Sequence, residues 1–119
     1  MGLKDNVVYA KSYDFAIRVV KMSQYLQKEH KEFTLSKQVL RCGTSIGALI
    51  REGHYAQSKA DFISKLSIAL KEANETDYWI DLLKDTGYMT EAMHQSMKHD
   101  IDEIVALLVS IIKSSKGHS

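Results

Sequence analysis

The sequence predicts an all-α fold: one domain, residues 1–119, built as an antiparallel up-down-up-down four-helix bundle. Three observations lead there. The 119 residues contain no proline, against an average usage near ~5%, which suits long unbroken helices. Apolar residues recur at alternating steps of three and four along four separate stretches. The segments between those stretches are only a few residues long, and connections that short fold consecutive helices back on one another.

The first helix is expected from Ser12 to Glu29, with Phe15, Val19, Met22 and Leu26 on its inner face and Val7, Val8 and Tyr9 extending its entry. His30-Lys-Glu-Phe-Thr34 interrupts the pattern, and Thr34 or Ser36 can cap the next helix. That second helix runs from Ser36 to Gly53 and is expected to bury Val39, Leu40, Ile46, Leu49 and Ile50. Ser58-Lys-Ala-Asp61 opens the third as a capping box with Asp in place of Glu or Gln. Phe62, Leu66, Ala69, Ala73, Thr76, Ile80 and Leu83 then form a heptad seam, and Gly87 supplies a left-handed stop. Thr90 caps the fourth helix, whose seam is Met93, Met97, Ile101, Ile104, Leu108 and Ile111.

The second helix holds three glycines, each costing about 1 kcal/mol relative to alanine. Close approach of another helix would compensate. Gly43, Ser45, Gly47 and Ala48 are accordingly read as a small-residue packing seam. The third and fourth helices carry more apolar surface than one seam needs, and Tyr78, Trp79 and Leu82 are the candidate oligomer interface.

Composition excludes several classes. Net charge is +1, so no global electrostatic footprint for nucleic acid exists, although residues 1–56 carry +4 and residues 57–119 carry −3. A single cysteine, Cys42, precludes an intramolecular disulfide and suits a reducing compartment. The N-terminus lacks a signal-peptide pattern, and the longest apolar stretch, residues 104–112, is about half of the ~20 residues a membrane span needs. A cytoplasmic protein with no membrane contact is expected.

Leu35-Ser-Lys-Gln-Val-Leu-Arg-Cys-Gly-Thr-Ser-Ile-Gly-Ala-Leu-Ile-Arg-Glu-Gly53, followed by Gln57-Ser-Lys-Ala-Asp-Phe62 and the Thr86-Gly87-Tyr88 turn, closely resembles the four-helix bundle proteins encoded in bacterial 23S ribosomal RNA intervening sequences. The resemblance runs from about Tyr13 to Lys116. It departs at Leu49-Ile-Arg51-Glu-Gly53, where the family more often has Asn-Ile-Glu-Glu-Ala, so Arg51 replaces a carboxylate. The resemblance implies a ring-like homopentamer without enzymatic activity. It also brings in a cousin, the accessory variability determinant of diversity-generating retroelements, which works with a reverse transcriptase and nucleic acid.

No catalytic residue, metal or cofactor is expected, and no small-molecule substrate. A di-iron bundle needs Glu-x-x-His on two helices, and Glu91-Ala-Met-His94 has no second copy. Glu72 and Glu75 are read as exposed charges, and Cys42 as a small buried hydrophobe. The candidate nucleic-acid surface is basic: Lys4, Lys11, Arg18, Lys21 and Lys28 along one side of the first helix, with Lys37 and Arg41 on the second. Two functions are therefore expected in competition. One is an oligomeric bundle that binds RNA or a nucleic-acid-processing partner. The alternative is a protein–protein interaction scaffold with no nucleic-acid contact.

Overall fold

The structure, a computed structural model, describes the backbone of residues 3–117 and the side chains of residues 7–117. Over that span it contains four helices and no strand: α1 (Leu3–His30), α2 (Thr34–His54), α3 (Lys59–Asp85) and α4 (Glu91–Gly117). They lie side by side in a body 48 × 22 × 18 Å. Its long dimension is close to that of the 28-residue α1, about 42 Å at ~1.5 Å per residue. α1 packs on α2 and α4, and α3 packs on the same two helices.

The three-four spacings become the core. Phe15, Val19 and Leu26 of α1, Val39, Ile46 and Ile50 of α2, Leu66, Ala69, Ala73, Ile80 and Leu83 of α3, and Ile101, Ile104 and Leu108 of α4 are almost wholly removed from water. Leu40, Leu49, Phe62 and Met93 pack at its margin instead. Thr76 is buried on the α3 seam, where its hydroxyl donates to the Glu72 carbonyl at 2.7 Å. That local bond satisfies a polar group that burial would otherwise penalise.

α1 begins nine residues before the expected Ser12, since nothing in the entry segment breaks a helix and Val8 is fully buried. The start of α2 differs in kind. Neither Thr34 nor Ser36 caps it: Phe33 occupies the cap position without a side-chain bond. Glu32 takes the role from outside the helix, its Oε1 accepting the Ser36 N–H at 2.9 Å. The chain reverses at Lys31, whose φ is +54°, a left-handed backbone usually left to glycine or asparagine. The other two caps follow the sequence signals. Ser58 Oγ accepts the Asp61 N–H at 3.1 Å, and Thr90 Oγ1 accepts the Met93 N–H at 3.1 Å. Gly87, at φ +87°, closes α3 as the Tyr88 N–H donates to the Leu83 carbonyl at 2.9 Å.

The small-residue seam is narrower than the sequence suggests. A Cβ on Gly43 would sit 2.9 Å from both Val19 methyls, and one on Gly47 would sit 3.2 Å from Ser12 Oγ, so both glycines admit α1. Ala48 is exposed, because one residue beyond Gly47 turns about 100° round the helix. Ser45 bonds within its own helix, its hydroxyl donating to the Arg41 carbonyl at 2.6 Å. Neither Ser45 nor Ala48 takes part in the close approach.

Candidate functional surface

The basic residues divide into two sets. Lys4 lies outside the residues whose side chains are described. Lys11 reaches across to α4 and meets Glu103 at 3.3 Å. Arg18 pairs with Asp100 and also donates to Ser96 Oγ at 2.8 Å. Arg41 bridges to α3, meeting Glu72 at 3.2 Å and pairing with Glu75. These three cations are already met by carboxylates of the same chain, which weakens their field for an outside phosphate. Lys21, Lys28 and Lys37 are exposed and make no ion pair among the described residues.

Glu72 and Glu75 are thus not free surface charges. The Glu72 side chain is only 13% exposed beside Arg41. Glu75 accepts from Trp79 Nε1 at 3.2 Å, and that bond together with Arg41 holds its carboxyl below the usual glutamate range. Trp79 packs half-buried against the core, Leu82 is half-buried, and Tyr78 alone of the three interface candidates is well exposed, edge-on to Trp79 with ring centroids 5.1 Å apart.

The more continuous apolar surface lies on α1. Val7, Tyr13, Ile17, Val20 and Tyr25 are all among the exposed large hydrophobic side chains, against Ile68 and Tyr78 on α3 and Val109 on α4. Tyr13, Ile17 and Val20 step by four and three, so they form one stripe on the side away from the core. Ala16, Lys21 and Gln24 complete a shallow apolar depression with them. Sequence reasoning missed this stripe because Phe15, Val19, Met22 and Leu26 already accounted for a buried face. The second stripe, at the same spacing two residues earlier in the chain, was the available signal.

The chemistry available to reactive groups is limited. Cys42 is buried, its thiol turned toward the Val39 carbonyl at 3.7 Å, and desolvation raises its pKa above the ordinary thiol value. A buried neutral thiol is a poor nucleophile. His94 Nε2 lies 2.7 Å from Asp81, and its Nδ1 is buried without a partner among the described residues. His99, Asp100 and Glu103 bring ligand atoms within 4.8 Å of one another, yet Arg18 and Lys11 already occupy the two carboxylates. A cation there would compete with two fixed positive charges. No helix among the described residues is long and apolar enough to cross a membrane.

The model of the family described as 23S rRNA-intervening sequence protein matches residues 4–110. A crystal structure of a protein of unknown function from the S23 ribosomal protein family of Bacteroides thetaiotaomicron is 58% identical, with a TM-score of 0.92. The match covers 93% of this chain and 99% of that one. No curated protein matches this chain.

Proposed function

The chain belongs to the 23S rRNA-intervening sequence protein family, and from that and the surface of α1 we propose a non-enzymatic, self-assembling antiparallel bundle that acts as a protein-interaction scaffold. The antiparallel arrangement is supported by the cross-helix pairs. Arg41 faces Glu72 and Glu75 while Glu52 faces Lys65, and Asp77 faces Lys98 while Lys84 faces Glu91, so numbers rise on one helix as they fall on its neighbour. The observation that carries the assembly is the exposed stripe Tyr13–Ile17–Val20, with exposures of 56%, 43% and 39%. A contiguous apolar stripe of this kind is a recurrent mark of an interaction site. The number five comes from the family resemblance. The single cysteine, buried in the core, suits a reducing, cytoplasmic location.

Light scattering coupled to gel filtration tests the assembly. The wild type should elute at about five times the 13.5 kDa of one chain, and Ile17→Asp should reduce it to a folded monomer, because a buried unpaired carboxylate is costly at an interface. A wild type that is monomeric at high micromolar concentration defeats the proposal.

A nucleic-acid partner is the second reading, and the specific support is Lys21, Lys28 and Lys37, which remain exposed and unpaired among the described residues. Repeated round a ring, three such lysines per subunit would neutralise phosphates without reading sequence. Anisotropy of a labelled structured RNA at about 50 and 200 mM salt should show binding that falls steeply with salt. Absence of binding at the lower salt would leave the scaffold reading alone.

A further inference from the structure

A cavity of about 280 Å³ opens at the end of the bundle where α1 begins and α2 stops, lined by Tyr9, Arg51, His54 and Tyr55. Tyr9 lies about 18 Å along α1 from Lys21 and about 30 Å from Lys28, at ~1.5 Å per residue, so the cavity does not include the exposed Lys21, Lys28 and Lys37. We propose that this cavity binds one unpaired nucleotide, the base against the tyrosine rings and the phosphate on Arg51. The reading does not depend on the lysine surface.

Charge supports it first. The chain has three arginines. Arg18 and Arg41 are held by carboxylates, whereas Arg51 makes no ion pair among the described residues. Arg51 and His54 fall in the last turn of α2, where cations complement the partial negative charge of a helix C-terminus. That role explains a cation there. It does not explain two tyrosines beside it, one of them 76% exposed. An exposed aromatic ring next to a guanidinium that no described carboxylate engages matches the pairing that unpaired nucleotides use, a π-face for the base and a planar donor fork for the phosphate. The rings are arranged in neighbouring pairs: Tyr9 lies 6.2 Å from Tyr13, and His54 stands edge-on to Tyr55 at 5.9 Å.

The walls are fixed by the glycines of α2. Gly47 lets α1 approach at Ser12, whose hydroxyl donates to the Tyr9 carbonyl at 2.7 Å. Gly53 is buried against α3, with Leu66 Cδ1 only 2.7 Å from where a Cβ would stand. The Tyr55 N–H then closes the helix end on the Glu52 carbonyl at 3.1 Å. Tyr9 therefore meets Arg51, His54 and Tyr55 across a junction with little freedom to change width. The volume of about 280 Å³ lies near the lower end of the ~300–1,000 Å³ usual for small-molecule sites, which suits one base with its phosphate rather than several stacked bases.

The test is anisotropy of a labelled single-stranded RNA hexamer, with a duplex of the same sequence and with adenosine monophosphate as competitor. The wild type should bind the single strand more tightly than the duplex, whose bases are already stacked. Arg51→Glu should weaken binding by about tenfold or more, and Tyr55→Ala by about 5- to 150-fold, the measured range for one base–aromatic stack. Both side chains are exposed, so thermal melts of the variants should match wild type and exclude unfolding. Displacement of the hexamer by the mononucleotide assigns the site to free nucleotides, and retention of the hexamer assigns it to a strand. Binding unchanged in both variants, equal affinity for the duplex, or no binding of either probe overturns the proposal. Loss confined to Lys28→Glu with Lys37→Glu overturns it as well, while sparing the lysine surface.

Discussion

The four edges where neighbouring helices meet are held in two different ways. Three carry ion pairs across the joint: Lys11–Glu103 and Arg18–Asp100 between α1 and α4, Arg41–Glu72, Arg41–Glu75 and Lys65–Glu52 between α2 and α3, and Lys98–Asp77 and Lys84–Glu91 between α3 and α4. The α1–α2 edge carries none among the described residues. It closes instead through Gly43 on Val19 and Gly47 on Ser12, with Ser23 Oγ donating to the Ser36 carbonyl at 3.4 Å. Long charged side chains span a gap and adjust to it. A glycine contact removes the gap and fixes its width to a few tenths of an ångström. The first kind of edge should tolerate substitution and respond to salt and pH, and the second should do neither.

The largest effect is expected at the glycine edge. Gly43→Leu should lower the unfolding free energy by about 1–3 kcal/mol or more, since Val19 is β-branched and cannot turn both methyls away. Gly43→Ala combined with Val19→Ala should cost less than the sum of the two single changes, a coupling that chemical denaturation of the four proteins would read. Additive costs would show that the contact is not what Gly43 serves. Gly47→Leu should overpack in the same ~1–3 kcal/mol range. Gly47→Ala should cost less than Gly43→Ala, because its Cβ would stand 3.2 Å from Ser12 Oγ, against 2.9 Å from both Val19 methyls at Gly43.

The turn that sets this edge's register offers a smaller effect of opposite sign. Lys31→Gly should stabilise by up to about 1 kcal/mol, the strain of a left-handed backbone at a residue with a Cβ being relieved. A midpoint that falls on this change would mean that the added freedom of glycine in the unfolded chain outweighs that strain.

The charged edges should reveal themselves in pH. Trp79 and Arg41 hold the Glu75 carboxyl below its ordinary 4.5, so its contribution is present above that value and is lost as pH falls through the lower folded pKa. Asp77 raises Lys98 above its ordinary 10.5, so that contribution is present below 10.5 and is lost as pH rises through the higher folded pKa. Glu75→Gln should flatten the acid limb of a stability–pH curve and leave the alkaline limb alone. The smallest effect belongs to the α1–α4 edge. Arg18→Ala and Lys11→Ala should each cost under ~1 kcal/mol, since their side chains are 39% and 40% exposed. An Arg18 effect as large as that of Gly43 would erase the distinction between the two kinds of edge.

Much of the fold is legible before any coordinates, because helix periodicity and capping are local. The seams of α3 and α4, the Ser58 and Thr90 caps and the Gly87 stop each depend on residues within one or two turns of one another. Glu32 as the cap of α2 was not legible, since it acts only once Lys31 has reversed the chain. The candidate surface was read less well for a related reason. Lys11, Arg18 and Arg41 look like free cations along a helix, yet each meets a carboxylate 31 to 92 positions away in the chain.

The sequence by itself determined that there are four helices, where α3 is capped and stopped and α4 is capped, and most of the side chains that form the core. Those outcomes follow from spacing along one helix and from the cost of exposing apolar surface. Tertiary packing alone decided which basic residues go unpaired among the described residues, which apolar stripe on α1 remains uncovered, and that Tyr9 and Arg51 share a cavity. Each of those depends on how far two helices slide past one another. At 1.5 Å per residue, a slip of one turn would exchange every partner across an edge while leaving each helix's own pattern unchanged.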